Sequence, residues 1–314
     1  VGSEMCIRDS INTYKESGFF PEWASPGHRG CMIGNNSASI LADAYLKGIK
    51  VDDVTTLYEG LIHGTKNVHP EVSSTGRLGY EYYNELGYVP YDVKINENTA
   101  RTLEYAYDDF ALAQMAKALG KTDDYQALIR RAANYRNVID PRTGYAQGRH
   151  ADGTFLNDAN AFNFARFITE GAPCHYTWYV PQDPYGLMAS MGGKDKYVAK
   201  LDSMFSEQRY WHGNEPCHQV AYMFNYAGEP WKTQRAVRHV METEYLNEPG
   251  GLSGNDDAGQ MSAWYMFAAM GFYPVCPGTP YYILASPSFP SFTLNLESGK
   301  KFLSLIHISE PTRR

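Results

Sequence analysis

Cysteine is scarce in this sequence, and its spacing excludes two kinds of site. The 314 residues include five cysteines, none of which forms a Cys-x-x-Cys pair. Such isolated cysteines fit neither a structural zinc site nor the dense disulfide framework of a small secreted domain. Outside the first ten residues, we predict small, buried core residues at Cys31, Cys174, Cys217 and Cys276.

Runs of basic residues and long hydrophobic runs are also missing. There are 28 Lys and Arg against 35 Asp and Glu, giving a formal net charge of −7. An acidic chain without basic clusters argues against binding to nucleic acid or to anionic membranes. No stretch approaches the roughly 20 apolar residues that cross a bilayer. We therefore predict no nucleic-acid partner and no membrane span.

Aromatic residues, by contrast, are abundant. They make up 14% of the chain, with 25 Tyr and 5 Trp. Sugar faces stack on aromatic rings, so this composition suits a carbohydrate-handling protein. A large packed core explains the same composition equally well.

The two ends of the chain share one DNA-level explanation. "VGSEMCIRDS" opens the sequence, and "LSLIHISEPT" stands at residues 303–312. One coding of the first peptide, read on the opposite strand, encodes the second. We therefore predict that residues 1–10 and 303–314 are translated sequencing adapter. On this prediction "LSLIHI" is not a natural strand and His307 is not a site residue.

Helical patterns dominate from about residue 36 to residue 272. Helical stretches include "NNSASILADAYLKG", "DDVTTLYEGLIHG", "NENTARTLEYAYDDFALAQMAKALG", "TDDYQALIRRAANYRNVID", "EPCHQVAYMFNYAG" and "EPWKTQRAVRHVMETEY". Short turns with Gly or Pro join several of them, so neighbouring helices should pack antiparallel. After Pro274 the pattern changes to β-forming residues. The sequence predicts a mainly α fold, a helical toroid or solenoid, followed by strands.

A short acidic stretch, "GNDDAGQ" at residues 254–260, directly precedes one apolar helical pattern. It has a structural interpretation, because Asn255 or Asp256 can cap the helix and Asp257 with Gln260 resembles a capping box. It also has a catalytic one, because the positive end of a helix favours a carboxylate anion. This stretch alone leaves both interpretations open.

Two further polar clusters carry candidate site residues, "ITEGAPCHYTWYVPQD" at residues 168–183 and "YWHGNEPCHQ" at residues 210–219. Glycoside hydrolysis needs one protonated carboxyl group and one ionised one. Apolar neighbours of Glu170 predict partial desolvation, which would raise its pKa. Asp257 at a helix N-terminus should stay ionised. The two residues therefore suit an acid and a base.

A metal site is also predicted from oxygen donors. Asn214, Glu215 and residues 255–257 offer amide and carboxylate oxygens, which suit calcium better than zinc. His212 and His218 lack the His-Glu-x-x-His spacing of zinc proteases.

Taken together, these stretches closely resemble glycoside hydrolase family 92. The motifs are "CMIGNNSASILADAYLKGI", "TLEYAYDDFALAQMAKALGK", "TEGAPCHYTWYVPQD", "GNEPCHQVAYMFNYAGEPWKTQ" and "GNDDAGQMSAWYMFAAMGFYP". The resemblance implies an exo-acting, inverting, calcium-dependent α-mannosidase with an N-terminal β-sandwich and an (α/α)6 catalytic barrel. We expect a partial barrel at residues 11–273, the start of a β segment at 274–302, and no sandwich domain.

The resemblance also implies roles for particular residues. Glu170 corresponds to the general acid and Asp257 to the base that activates water. Asp256 and Asn255 are supporting candidates, since relatives often carry a second carboxylate at the position of Asn255.

Asn214 and Glu215 resemble part of the calcium and mannose site. The expected sugar-binding residues are His175, Trp178, His212 and Asn255. The chain departs from a commoner Trp-Gln pattern at His175 and Tyr176, which affects the expected shape of the sugar pocket and not the acid.

The predicted function is hydrolysis of terminal α-linked mannose from N-glycans or mannans, with α-1,2 linkage as the default. By the same resemblance, the protein is bacterial and secreted or periplasmic, and its partner is a mannose-terminated oligosaccharide. The fragment itself is expected to be inactive. The alternatives are another (α/α)6 glycosidase or lyase, and a non-catalytic helical carbohydrate-binding module.

Overall fold

A computed structural model describes residues 2–23, 27–157 and 160–305. Within these ranges the α-helices are α1 Gly2–Ser17, α2 Ser37–Leu46, α3 Val54–Gly64, α4 Tyr80–Leu86, α5 Asn98–Ala118, α6 Thr122–Arg131, α7 Pro173–Tyr176, α8 Pro184–Ser190, α9 Lys194–Ser206, α10 Pro230–Thr243 and α11 Gln260–Met270. Three 3-10 helices span Asn134–Val138, Glu215–Cys217 and Val220–Ala227. The strands are β1 Phe272–Tyr273, β2 Ile283–Leu284, β3 Ser291–Asn295 and β4 Lys301–Leu305. The predicted mainly helical fold with strands after the last helix is confirmed.

The chain divides into two compact units. The first comprises Val1–Lys200 with Cys276–Pro280, and the second comprises Leu201–Val275 with Tyr281–Arg314. No described helix combines the length and apolar character needed to cross a membrane.

Helix α5 is the central element of the first unit. Most of its residues are buried, as expected of a helix packed on more than one side, and it contacts both α2 and α6. Its buried Asp109 carboxylate accepts hydrogen bonds from Arg77 Nη1 at 2.7 Å and Arg131 Nε at 2.8 Å. A buried charge is tolerated only with such partners, so this network ties α5 to the segment that precedes α4 and to the end of α6.

The first turn of α5 is bound to the chain segment that later carries Glu170. The amides of Thr99 and Ala100 both donate to the carbonyl of Phe167, at 3.1 Å each. The amide of Glu97 likewise donates to the carbonyl of Arg166 at 2.9 Å. Helix N-termini leave amides without intrahelical partners, and here a neighbouring loop supplies the acceptors.

The second unit is built around Trp264 of α11. This side chain is fully buried, and its indole Nε1 donates to the carbonyl of His218 at 2.9 Å. Helix α11 packs against α10 and β1. Strands β1 and β2 pair antiparallel, as do β3 and β4 with Ser291 opposite Leu305.

Several local expectations differ from the structure. The helix predicted through residue 140 ends at Arg131 and continues as a 3-10 helix, because Ala133 no longer follows α-helical bonding. The "EPCHQVAYMFNYAG" helix is two 3-10 segments. Cys31 is exposed, so the prediction of burial is wrong there, although Cys174, Cys217 and Cys276 are buried as predicted.

The predicted adapter regions lie partly within described structure. Residues 2–10 form most of α1, with Ile7 buried, and residues 303–305 complete β4. The expectation that "LSL" forms no strand is therefore wrong for these three residues, because they pair with β3. His307 lies outside the described residues. The adapter origin of both ends stays a prediction.

Candidate active site

The Glu170 segment combines an exposed carboxylate with an unusual backbone. Glu170 has a φ of 47°, in the left-handed region that non-glycine residues rarely adopt. The loop closes on itself where the Ala165 amide donates to the Gly171 carbonyl at 3.3 Å. Helix α7 then begins at Pro173, a residue favoured at the first helical position.

The desolvation that we predicted for Glu170 is absent within its own unit. Glu170 is exposed, whereas its neighbours Ala172, Pro173 and Tyr176 are buried. The reason is geometric: α7 turns the apolar residues into the core, and the left-handed residue before it turns the carboxylate away.

His175 caps the helix that follows Glu170. It is half-buried, and its Nδ1 accepts the amide of Ala172 at 3.1 Å. Because Nδ1 accepts, the neutral ring carries its proton on Nε2. Any contact between His175 and a sugar would therefore use Nε2 as a donor.

Trp178 has no exposed surface, and its ring packs edge-on against Tyr197 with centroids 5.2 Å apart. A ring without an exposed face cannot stack on a sugar in this conformation. The geometry therefore makes Trp178 a core residue that supports the segment after Glu170.

The Asp257 segment also has left-handed backbone. Asp257, Ala258 and Gly259 have successive φ values of 45°, 57° and 92° before α11 begins. Asp256 Oδ1 accepts hydrogen bonds from the amide and the hydroxyl of Ser262, both at 2.9 Å. The N-cap of α11 is Gly259, and Asp256, not Asp257, accepts the first-turn amide of Ser262, which corrects the capping-box expectation. The Asp257 side chain is half-buried and Asn255 is exposed.

His212 lies in the core of the second unit. It is 0% exposed, its Nδ1 is 2.7 Å from the Tyr210 hydroxyl, and its Nε2 is 2.6 Å from the Tyr245 hydroxyl. Burial, together with His218, lowers the pKa of His212 to about 2, so the ring is neutral. Since both ring nitrogens are engaged, the structure gives His212 a packing role in place of the predicted sugar contact.

His218 stands between His212 and the Asp257 segment. Its Nε2 donates to the His212 carbonyl at 3.0 Å, and its ring stacks on that of His212 at 4.7 Å. Burial lowers the pKa of His218 to about 4, although the negative charge of Asp257 acts in the opposite direction. A neutral histidine therefore faces the proposed base.

The predicted calcium ligands begin a 3-10 helix. Asn214 is buried in an extended conformation, and half-buried Glu215 follows as the first residue of Glu215–Cys217. Their amide and carboxylate oxygens fit the hard donors that calcium prefers. Calcium takes about six to eight oxygen ligands, so these two can supply only part of its shell. No cluster of three His, Cys, Asp or Glu suited to a metal occurs among the described residues.

Two buried acids on α5 were not predicted from the sequence. Glu104 accepts from the Tyr176 hydroxyl at 3.1 Å, and Asp108 accepts from the Asn35 amide at 3.0 Å. Burial, reinforced by Asp108, raises the pKa of Glu104 to about 8, and burial raises the pKa of Asp108 to about 7. The sequence signal that could have found them is a pair of acids, four residues apart, within a largely apolar helical pattern.

Residues 3–309 match the glycosyl hydrolase family 92 catalytic domain. A family GH92 inverting mannosidase from Bacteroides thetaiotaomicron VPI-5482 is 44% identical with a TM-score of 0.92, over 98% of this chain and 45% of that one. A GH92 α-mannosidase from Bacteroides thetaiotaomicron is 39% identical with a TM-score of 0.89, over 99% of this chain and 42% of that one. An uncharacterized secreted glycosidase of Arthroderma benhamiae is 28% identical over 90% of this chain and 41% of its own length.

The chain therefore belongs to glycoside hydrolase family 92, and its mainly helical fold with a short C-terminal β segment agrees with these structures. It spans less than half the length of the relatives that it matches.

Proposed function

We propose that this chain carries the acid and the base of an exo-acting α-mannosidase that releases terminal α-linked mannose with inversion. The support is family membership, together with a 44% identical relative described as an inverting mannosidase. The GH92 α-mannosidase from Bacteroides thetaiotaomicron has also been solved in complex with mannoimidazole, in a structure 38% identical to this chain. The proposed substrate is a mannose-terminated oligosaccharide of N-glycans or mannans, with α-1,2 linkage as the default.

The proposed reaction uses one proton donor and one proton acceptor. Glu170 gives its proton to the glycosidic oxygen as the bond from that oxygen to C1 of mannose breaks. Asp257 accepts a proton from water on the opposite face, and the water oxygen forms the new bond to C1. Inverting enzymes hold these carboxyl groups roughly 6.5–9.5 Å apart, and that separation stays a prediction for Glu170 and Asp257.

The assignment of the base rests on the different positions of two adjacent carboxylates at the start of α11. Asp256 already binds the amide and hydroxyl of Ser262, so helix capping does not require the neighbouring carboxylate. Asp257 sits half-buried beside neutral His218 and is left to accept a proton. We assign Asp256, and with it exposed Asn255, to supporting the loop.

Calcium is the proposed cofactor. Asn214 and Glu215 would hold part of its shell, and the ion would supply positive charge for binding mannose hydroxyls. This chain's own contribution is to orient those two residues through the 3-10 turn at Glu215–Cys217.

Substitution of the two carboxyl residues in the complete gene product tests the function. We expect Glu170→Gln and Asp257→Asn each to reduce turnover of a mannobiose by several orders of magnitude. Glu170→Gln should lose far less on an aryl mannoside whose leaving group needs little protonation. Asp256→Asn is the matched control and should keep most of the turnover. Equal losses on both substrates for Glu170→Gln would exclude it as the acid.

The length of the relatives motivates a second part of the proposal. Because the chain spans 45% of a solved relative, we propose that an N-terminal β-sandwich domain and the remaining barrel helices complete the sugar pocket. The chain as printed, and residues 11–302 alone, should then hydrolyse no mannobiose. Calcium-dependent mannosidase activity from either would contradict this. We also propose a secreted or periplasmic bacterial enzyme. The relative of Arthroderma benhamiae that is described as secreted supports export, and the relatives from Bacteroides thetaiotaomicron support a bacterial source.

A further inference from the structure

A buried hydrogen bond connects α5 to the short helix that follows Glu170. The Tyr176 hydroxyl donates to Glu104 Oε1 at 3.1 Å. Tyr176 is 2% exposed and Glu104 is 4% exposed. Water therefore does not compete for this bond, and breaking it leaves a buried polar group without its partner.

The Glu104 carboxyl group can accept this hydrogen bond while it is uncharged. Its folded-state pKa of about 8 keeps the group largely protonated at neutral pH. A neutral carboxyl still accepts the Tyr176 proton through its carbonyl oxygen. Asp108 lies one helical turn further along α5 and is also buried.

The same helix holds the Glu170 segment at a second point. The carbonyl of Phe167 accepts the amides of Thr99 and Ala100, while Tyr176 is held by Glu104 one turn further along. Both anchors lie on the buried first half of α5, and Glu170 lies between them along the chain. Its left-handed φ of 47° is a conformation that persists only when surrounding contacts over-determine it.

We infer that Glu104 is a positioning residue that fixes the Glu170 segment through the hydroxyl of Tyr176. The inference rests on the proposed acid role of Glu170. Glu104 is buried and acts through Tyr176, so that it determines where the acid carboxyl group is presented.

Matched variants of the chain separate positioning from general stability. Tyr176→Phe and Glu104→Leu remove the bond, whereas Glu104→Gln keeps the acceptor oxygen. Tyr105→Phe is the control, because its fully buried hydroxyl on the same helix donates to the Leu78 carbonyl, also at 3.1 Å. Amide hydrogen exchange of peptides within residues 165–177 is the readout.

We expect Tyr176→Phe and Glu104→Leu to speed exchange in that segment by roughly tenfold, since local opening tracks lost local contacts. Glu104→Gln should restore wild-type exchange, and Tyr105→Phe should leave the segment unchanged. If Glu104→Leu does not fold, the exchange rates of Tyr176→Phe alone test the inference. Equal acceleration by Tyr105→Phe, or no rescue by Glu104→Gln, would overturn the inference.

Kinetics of the complete gene product supply the second readout. Tyr176→Phe should lower kcat on a mannobiose by about tenfold or more with KM unchanged, because a misplaced acid weakens only the transition state. Unchanged kcat would overturn the inference. If Glu170→Gln is itself fully active, the proposed function fails, whereas the exchange result still reports on the anchor.

Discussion

Replacement of Glu104 by Gln should stabilise the protein at alkaline pH and not at acidic pH. In the folded state the pKa of Glu104 is raised from 4.5 to about 8, chiefly by burial. Glutamine has the same shape, keeps the oxygen that accepts from Tyr176, and cannot ionise. The comparison therefore isolates the cost of holding a proton on a buried carboxyl group.

The direction of the pH dependence follows from the number of protons that the folded and unfolded chains bind. Below about pH 4.5 Glu104 is protonated in both folded and unfolded chains, so it adds no pH dependence to the free energy of unfolding there. Between pH 4.5 and about 8 the unfolded chain releases the proton while the folded chain keeps it. The free energy of unfolding of the wild type then falls as pH rises. Above about pH 8 both states are ionised and the difference becomes constant.

The size of this change in the free energy of unfolding follows from the folded and unfolded pKa values of Glu104. Each pH unit of pKa difference corresponds to about 1.4 kcal/mol. A folded pKa near 8 against an unfolded pKa of 4.5 therefore gives a linkage on the order of 3–5 kcal/mol at pH 8. That is a large share of the roughly 5–15 kcal/mol that stabilises a typical domain.

Urea unfolding of the chain, followed by tryptophan fluorescence at pH 5, 6.5 and 8, measures this difference. We expect the advantage of Glu104→Gln over the wild type to be small at pH 5 and to grow to several kcal/mol at pH 8. Tyr105→Phe is the control, since it removes a buried hydroxyl that does not titrate in this range. An advantage that is the same at pH 5 and pH 8 would refute the reasoning.

Three further predictions concern the proposed site. Chelation of calcium should abolish hydrolysis by the complete gene product. Added calcium should restore the activity and added zinc should not, whereas full activity in excess chelator would refute the proposed calcium dependence. Asp256→Ala should reduce the free energy of unfolding by about 1 kcal/mol, because it removes the acceptor of the Ser262 amide and hydroxyl in the first turn of α11. Urea melts measure this loss, and Asn255→Ala should have little effect in them. Glu170→Gly should abolish turnover yet raise the unfolding midpoint slightly, because glycine adopts a φ of 47° without strain; a clear loss of stability would show that the strain argument is wrong.

The helical fold was predictable because its signals are local. Periodic apolar residues and terminal glycines place α2, α3 and α5 within two or so residues of the observed bounds. The same reasoning failed for residues 215–227, where apolar spacing does not distinguish α-helix from 3-10 helix.

The environment of the candidate site residues was harder to predict than the helices. The sequence places Glu170 among apolar neighbours, but those neighbours enter the core while the carboxylate stays exposed. The family resemblance groups Trp178 and His212 with sugar-binding residues. Tertiary packing decides which rings face solvent, and here it buries both completely.

The backbone at the two proposed catalytic residues links fold to function. Glu170 and Asp257 both have left-handed φ values, of 47° and 45°, in two separate compact units. An L-residue in that region costs on the order of 1–2 kcal/mol, which glycine avoids. Glycine does follow each residue closely, at Gly171 and Gly259, so these loops already contain the residue that suits sharp turns. A carboxylate at the strained position is thus unfavourable for folding alone. In this conformation the Glu170 side chain is exposed three residues before α7, and the Asp257 side chain is half-buried three residues before α11. Strained backbone of this kind is often found at active sites, and it agrees with the proposed proton-transfer roles of the two residues.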